Sequence, residues 1–230
     1  MALTDLLAFA STASRAFLLA FPSLFSIINP IGGAFIFESV TAGIDRSDRK
    51  IIAGRVGFFA LIIMFGALWI GAYVLNFFGI SLDALRIAGG LVVAASGWSL
   101  MSAGDQRAER RGASTSSAGK GDDPLQMAFF PLTLPLTTGP GTIAVATTLG
   151  AERPPYGFGL MPFFVGVSLA AAGNAALIWI AYRSADRVTA LIGPIARSVV
   201  VRLSAFLLMC VGVQILVTAV GDLVKTWSGS

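Results

Sequence analysis

The chain has 230 residues, of which 56% are hydrophobic and only 12% are charged, and its mean hydropathy is +0.82. A soluble globular domain carries about 25% charged residues, so the composition excludes an ordinary soluble protein. The formal net charge is +4, but the basic residues lie in short segments between apolar runs, where they orient membrane helices. Nucleic-acid binding is therefore not expected.

Six uncharged stretches follow one another along the chain. Each is long enough to cross a ~30 Å hydrocarbon layer, which needs about 20 helical residues. Backbone groups in lipid must be hydrogen-bonded internally, and strand alternation is lacking, so helices are favoured over a barrel. The sequence therefore predicts an all-α membrane protein with six transmembrane helices, between Arg15 and Glu38, Arg55 and Asp83, Arg86 and Asp105, Asp123 and Glu152, Arg153 and Arg183, and Arg202 and Asp222.

A polar segment divides the chain into two halves of three helices each. Residues 102–125 are rich in Ser, Gly and charge, which is typical of a flexible linker. We expect a first three-helix repeat over 1–101, a cytoplasmic linker over 102–125 and a second repeat over 126–230. Because three is an odd number, the second repeat enters the membrane from the opposite face and is inverted.

Lysine and arginine are distributed unequally between the two predicted faces. Such residues are enriched on the cytoplasmic side of membrane proteins. The more basic face holds Arg46, Arg49, Lys50, Arg55, Arg107, Arg110, Arg111, Lys120, Arg183, Arg187 and Arg197, and the other holds Arg15, Arg153 and Lys225. We therefore predict that both termini are periplasmic.

The first helix of each half is interrupted by proline and glycine. The interruptions are Asn29-Pro30-Ile31-Gly32-Gly33 and Thr138-Gly139-Pro140-Gly141-Thr142. Proline removes a backbone donor and glycine relaxes the helix, so polar groups freed at membrane depth need partners. Paired interruptions in an inverted repeat are typical of secondary transporters, whereas isolated kinks and glycine pairs often serve only helix packing. The expected substrate-binding residues are Asn29, Pro30, Gly32, Gly33, Thr138, Gly139, Pro140, Gly141 and Thr142.

Three more polar residues lie within the predicted helices as structural or gating candidates. Arg86 and Arg202 each open the third helix of a half, where they either gate opposite faces, brace the broken helices or reach the interface. Carbonyls freed by the breaks are their expected partners. Asn174 is the most central polar side chain of the fifth helix, and it serves either an interhelical hydrogen bond or ligand contact. A looser echo between the halves pairs residues 69–73 with 179–182.

Side chains for catalysis or for a resident metal are scarce. The chain has no histidine, and it has no Gly-Lys-Ser/Thr phosphate-binding loop, so neither an enzyme nor an ATP-driven pump is expected. No cofactor or metal site is predicted. Because no Asp or Glu lies at mid-membrane, a coupling cation (Na+ or H+) would rely on backbone oxygens and hydroxyls, such as those of Thr133 and Thr137. Glu38 is expected at the interface, and uncoupled exchange is equally open.

The order of these motifs resembles the MarC family of bacterial inner-membrane proteins over nearly the whole chain. The motifs are Asn29-Pro30-Ile31-Gly32, Arg86-Ile87-Ala88-Gly89-Gly90 and Pro135-Leu136-Thr137-Thr138-Gly139-Pro140-Gly141-Thr142. The resemblance implies a six-helix inner-membrane protein grouped with amino-acid exporters of the LysE type. Some members, called SnatA, are neutral amino acid transporters that handle glycine and alanine. Thr138 stands where an aliphatic residue is expected and the linker is unusually polar, which leaves the substrate open.

The leading hypothesis is a secondary transporter of small neutral amino acids. The lipid bilayer and a small-molecule substrate are its expected partners; the sequence does not indicate an oligomeric state. Efflux of larger hydrophobic compounds is an alternative that predicts a wide apolar cavity. A non-transporting membrane scaffold is another, and it predicts tightly packed motif glycines without a cavity at the breaks.

Overall fold

The computed structural model describes residues 2–41, 43–110, 127–154, 157 and 159–228, and within these ranges its regular structure is entirely helical. The all-α prediction is confirmed. In chain order the helices are α1 (Ala2–Ile28), α2 (Pro30–Val40), α3 (Arg46–Phe77), α4 (Leu82–Arg110), α5 (Ala128–Thr137, with wide π-type turns), α6 (Pro140–Ala151), α7 (Leu160–Arg183) and α8 (Ala185–Ser228).

Four spans in the described part of the chain are long and apolar enough to cross a membrane. They are Thr4–Glu38, Arg46–Phe77, Leu160–Arg183 and Arg202–Lys225. The fourth predicted helix is divided into α5 and α6, of 10 and 12 residues, and each is too short to cross a ~30 Å layer alone. The total of six transmembrane helices therefore stays a prediction.

The segment predicted as a linker begins as helix. Helix α4 continues to Arg110, so residues 102–110 extend the third predicted transmembrane helix. The remainder of the predicted linker, 111–125, lies outside the described residues.

Many large apolar side chains point outward from the bundle, and alanines are prominent among the residues buried in its interior. Such a surface suits lipid, where close helix packing relies on small residues. Exposed examples are Phe58, Ile62, Ile70, Leu169, Leu203 and Val217, and fully buried examples are Ala20, Ala53, Ala60, Ala146, Ala170 and Ala171. The outward face explains how a protein with so few charges is solvated.

Each helix packs against particular neighbours, which fixes the position of the two breaks. Helix α1 lies along α7, and α3 lies between α6 and α7. Helix α4 packs on α8 and α6, while α2 packs on α8 and α7. Glycines allow close approaches between helices: a Cβ at Gly150 would collide with the Leu68 carbonyl of α3, and one at Gly97 would collide with the backbone of α8.

One end of the bundle carries an ionic cluster around Asp186. Its carboxylate lies 2.5 Å from the Arg49 guanidinium and 3.8 Å from that of Arg46. Arg49 also donates to the hydroxyl of Thr41 at 3.0 Å. Because Thr41 is the C-cap of α2, this cluster ties the outer end of α2 to α3 and α8.

The opposite end carries a second cluster, around Arg86. Its guanidinium lies 3.1 Å from Glu152, 3.5 Å from Asp222 and 3.8 Å from Asp83. Glu152 is the C-cap of α6, so this cluster holds the outer end of that helix. Arg49 and Tyr73 lie 24 residues apart on α3, or about 36 Å at ~1.5 Å per residue, and Tyr73 is hydrogen-bonded to Arg153, the residue after Glu152. This length slightly exceeds a ~30 Å hydrocarbon layer. The clusters therefore bracket the apolar belt.

Candidate functional site

The first break is a single residue in a left-handed conformation. Helix α1 ends at Ile28, Asn29 has φ 47° and ψ 65°, and α2 begins at Pro30. Asparagine tolerates this conformation better than most residues, and proline is favoured at a first helical position. The Asn29 side-chain oxygen accepts from the Gly32 N–H at 3.2 Å, and its backbone oxygen accepts from Gly33 at 2.9 Å. The predicted break is present, and Asn29 caps the new helix itself.

The second break is spread over α5 and the two residues after it. Phe130 and Leu134 have extended backbones inside α5, with ψ of 125° and 124°. Each precedes a proline in the sequence, and a residue in that position is pushed towards extended conformations. Gly139 is also extended, with φ −74° and ψ −179°, and α6 begins at Pro140. The break therefore lies where the Gly-Pro-Gly motif predicted it.

The two helix starts differ in how their N–H groups are capped. Asn29 supplies a side-chain oxygen at the start of α2, whereas Gly139 at the start of α6 has no side chain to supply. The N–H groups of Gly141 and Thr142 thus lack a cap from the residue that normally provides one. Of the two half-helices, α6 presents the better site for an anionic group.

The threonine hydroxyls around the second break bond to the backbone of α5. Thr133 donates to Ala128 O at 2.7 Å and Thr137 to Leu132 O at 2.7 Å, while the Thr138 hydroxyl is 3.3 Å from Thr133 O. These bonds span five residues and occupy the carbonyls of the wide turns. All three side chains are buried. In this structure they stabilise the π-type segment, so a cation or substrate would have to compete with these bonds.

The two breaks lie against each other inside the bundle. A Cβ at Gly141 would collide with Val93 and lie 3.4 Å from the Ile27 side chain, two residues before the first break. A Cβ at Gly33 would lie 2.5 Å from the Tyr182 hydroxyl. Gly141 therefore lies beside the end of α1, and Tyr182 connects Gly33 of α2 with Thr137 at the end of α5.

Helix α8 covers the first break. A Cβ at Gly32 would lie 2.9 Å from the Ser204 Cβ, and the Asn29 amide is 3.4 Å from the Ser204 carbonyl. Thr138 and Thr142 are buried, Asn29 and Gly139 are half-buried, and Pro140 is exposed. The predicted binding residues thus form a closely packed group that reaches the protein surface at Pro140.

Arg86 is paired with carboxylates at the outer end of α6, not with carbonyls at the break, which corrects the partner expected from the sequence. The 12 residues of α6 separate this end from Pro140 by about 18 Å. Arg86 therefore braces the second broken helix from its far end. Arg202 is exposed near the start of the apolar part of α8.

The pattern of the MarC family integral membrane proteins matches residues 14–224 of the chain. The chain belongs to the MarC family. The inner membrane protein MarC of Salmonella typhimurium is 31% identical over 211 residues, covering 89% of this chain and 93% of the relative. A membrane protein of Methanocaldococcus jannaschii is 30% identical over 204 residues, covering 89% and 95%. No solved structure matches the chain. The family resemblance inferred from the motifs is confirmed.

Asn174 of this MarC-family chain joins two helices in the bundle interior. The side chain is fully buried, and its amide nitrogen donates to Ala170 O at 2.9 Å and to Phe21 O at 3.2 Å. The bond to Phe21 links α7 with α1, as the structural interpretation of Asn174 expected. The amide oxygen is buried without a hydrogen-bond partner, so a ligand donor remains a separate prediction.

Sequence reasoning missed Tyr182 as a site residue. In the sequence, Tyr182 belongs only to the weak similarity between residues 69–73 and 179–182. In the structure, its hydroxyl lies 2.8 Å from the Thr137 hydroxyl and against Gly33. No local pattern marks a tyrosine near the end of α7 as a neighbour of two distant motifs. As for metals, the described residues contain no group of three or more His, Cys, Asp or Glu side chains placed to hold an ion.

Proposed function

We propose that this MarC-family protein is a secondary transporter of small solutes in the inner (plasma) membrane of a bacterium. One observation carries the proposal. The half-helices α2 and α6 begin beside each other within the apolar belt and run to ionic clusters at opposite ends. Freed backbone groups at membrane depth are stable only against protein or a wet cavity, and paired broken helices are the usual substrate site of such transporters.

We further propose that the two halves are inverted repeats within six transmembrane helices. If α1, α2, α3 and α4 correspond to α5, α6, α7 and α8, then exchanging the halves relates the α1–α7 contact to the α3–α5 contact and the α2–α7 contact to the α3–α6 contact. The same exchange relates the α2–α8 contact to the α4–α6 contact, and it maps α3–α7 and α4–α8 onto themselves. The positive-inside rule then assigns the Arg49 end to the cytoplasm and both termini to the periplasm.

The substrate class that fits this site is a small neutral amino acid such as glycine or alanine. Its carboxylate would bind the N–H groups of Gly141 and Thr142 at the start of α6, and its ammonium would bind carbonyls left free at the end of α1. The close packing at Gly33 and Gly141 limits the size of any ligand. The same packing does not favour efflux of larger hydrophobic compounds, which need a wide apolar cavity.

Transport requires the closed group of residues to open alternately towards the two faces. Opening would release hydroxyls and carbonyls of α5 that are now bonded to each other. These oxygens are the ligands that a coupling Na+ would use, and H+ coupling or uncoupled exchange are the other modes. Neither a cofactor nor a catalytic role is part of the proposal.

A non-transporting membrane scaffold is the second candidate, because a specific observation favours it. Gly32, Gly33 and Gly141 are packed so closely that a Cβ would collide with a neighbour at each position. The scaffold hypothesis predicted tightly packed motif glycines. Under it, these glycines serve helix packing alone, and substitutions at the breaks alter stability but no flux.

Uptake of labelled glycine and alanine into proteoliposomes tests the transport proposal. We expect saturable uptake that depends on the protein and is competed by other small neutral amino acids. Gly139→Ala provides a matched variant, because the extended Gly139 backbone is open to any residue and folding is expected to persist. Transport predicts that this variant changes the flux while its thermal unfolding stays close to wild type. A complete lack of saturable uptake across the panel, in protein that remains folded, would favour the scaffold.

A further inference from the structure

Tyr182 contacts the helix that follows the first break and the end of the helix that precedes Gly139. It lies near the end of α7 and is 2% exposed. Its ring stacks on Phe37 of α2, with the ring centroids 4.8 Å apart and the planes inclined by 25°. Its hydroxyl lies 2.8 Å from Thr137, the last residue of α5, and against the Cα of Gly33 in α2. One buried side chain thus joins α7, α2 and α5.

The direction of the bond between the hydroxyls follows from the partners of Thr137. A threonine hydroxyl has one proton, and that of Thr137 is donated to Leu132 O at 2.7 Å. Tyr182 must therefore donate to Thr137. A chain of two bonds runs from Tyr182 through Thr137 to a carbonyl of the wide α5 turns. Moving α5 away from α7 would leave the tyrosine hydroxyl without this buried acceptor, which is unfavourable.

The lack of a side chain at Gly33 leaves room for the Tyr182 hydroxyl and its bond to Thr137. A Cβ at Gly33 would lie 2.5 Å from the Tyr182 hydroxyl oxygen and 3.1 Å from its ring. The ring is stacked on the buried Phe37, so it can move away only by repacking α2. Glycine at this position therefore allows the hydroxyl to reach Thr137.

We propose that Tyr182 is a positioning residue that holds the two broken helices closed against each other, and that breaking its bond to Thr137 opens the site between them. The proposal rests on the proposed transport function, because it names the contact whose release exposes the substrate-binding residues. Tyr182 acts through α2 and α5 and is not assigned a contact with substrate.

Cysteine accessibility tests the proposal without a substrate. Cys210 is the only cysteine, so Cys210→Ser gives a background in which Thr138→Cys places a single thiol at a buried position of the second break. Ala60→Cys, fully buried in α3, reports general loosening. Both proteins are reconstituted in nanodiscs and treated with a water-soluble maleimide.

We expect Tyr182→Phe to speed labelling at position 138 about three- to ten-fold, the population change that one net hydrogen bond supports. Labelling at position 60 should not change. Thr137→Val should speed labelling at least as much, because it also removes the bond to Leu132 O. Adding Tyr182→Phe to Thr137→Val should change nothing further, because the bond between the two hydroxyls is already lost. Gly33→Ala keeps both hydroxyls but displaces one, so it should also speed labelling at 138. Tyr73→Phe, on the exposed side of α3, and Thr148→Val are the matched controls.

Unchanged labelling at 138 in Tyr182→Phe would overturn the proposal, and so would equal acceleration at 138 and 60. The proposal would also be overturned if the labelling rate at 138 in the double variant rose by the product of the increases in the two single variants. Size-exclusion chromatography and circular dichroism confirm folding, and Thr137→Val carries the test if Tyr182→Phe does not fold. Accelerated labelling without any uptake supports Tyr182 as the positioning residue and refutes transport. Saturable uptake with unaltered labelling at 138 supports transport and refutes the positioning role of Tyr182.

Discussion

Replacing Arg86 by glutamine tests whether the ionic cluster at the end of α6 stabilises the bundle. The substitution removes the cation that lies 3.1 Å from Glu152, 3.5 Å from Asp222 and 3.8 Å from Asp83. The side chains are partly solvated, with Arg86 22%, Glu152 42% and Asp222 45% exposed. Each pair in such a setting contributes about 0.2–1 kcal/mol. We therefore expect a total loss of about 1–2 kcal/mol.

Thermal unfolding in nanodiscs measures this loss. For a domain of this size, 1 kcal/mol lowers the Tm by about 2–4 °C, so a loss of about 1–2 kcal/mol in Arg86→Gln should lower it by about 2–8 °C. Arg86→Lys keeps the positive charge but loses the planar guanidinium, so its Tm should lie between those of wild type and Arg86→Gln. High salt should narrow the difference from wild type, because it screens these charges. In a double-mutant cycle, Arg86→Gln should make Glu152→Gln nearly neutral. Additive effects, or an unchanged Tm in Arg86→Gln, would refute the reasoning.

Two further predictions concern glycine contacts and the first break. Gly150→Ala should lower the free energy of unfolding by about 1–3 kcal/mol, because its Cβ would collide with the backbone of Leu68. A Cβ at Gly66 would meet nothing within 4 Å, so Gly66→Ala should raise the free energy of unfolding by about 0.5–1 kcal/mol. Denaturant unfolding in micelles compares the pair, and equal effects would contradict the packing argument. Asn29→Gly should cost about 0.5 kcal/mol, since glycine tolerates the left-handed backbone but loses the bond to Gly32. Asn29→Ala should lower the free energy of unfolding by about 1 kcal/mol more than Asn29→Gly, because alanine is strained in the left-handed backbone. If the alanine variant were the more stable of the two, the left-handed conformation of residue 29 would be contradicted.

The positions of both helix breaks could be predicted because their causes are local. Proline at 30 and 140 cannot donate within a helix, and the chain ends one helix and begins another at those residues. The extended backbone of Phe130 and Leu134 could also be predicted, because each residue precedes a proline. The length of α4 beyond residue 101 was not, because the polarity of that segment was read as a linker although its backbone forms a helix.

Contacts between distant segments could not be predicted from this one sequence. The Arg86 cluster joins residues from α4, the end of α6 and α8, and only the folded bundle brings them together. The same holds for Tyr182 and Thr137, which are 45 positions apart. Sequence reasoning located the polar residues that need partners, but it assigned Arg86 the freed carbonyls because it had no information on which carboxylates lie within reach.

The two half-helices are not equivalent, and this difference bears on how many ligands one chain would bind. An inverted repeat places two helix starts near the centre, and each start attracts an anionic group. At the start of α2, Asn29 already occupies the Gly32 N–H. At the start of α6, Gly139 offers no side chain, so neither the Gly141 nor the Thr142 N–H group is capped by the residue before the helix. A carboxylate would therefore bind at Gly141 and Thr142 in preference to the start of α2. The proposed transporter should bind one substrate molecule per chain, and α2 should serve mainly to form the wall that Tyr182 holds against α5.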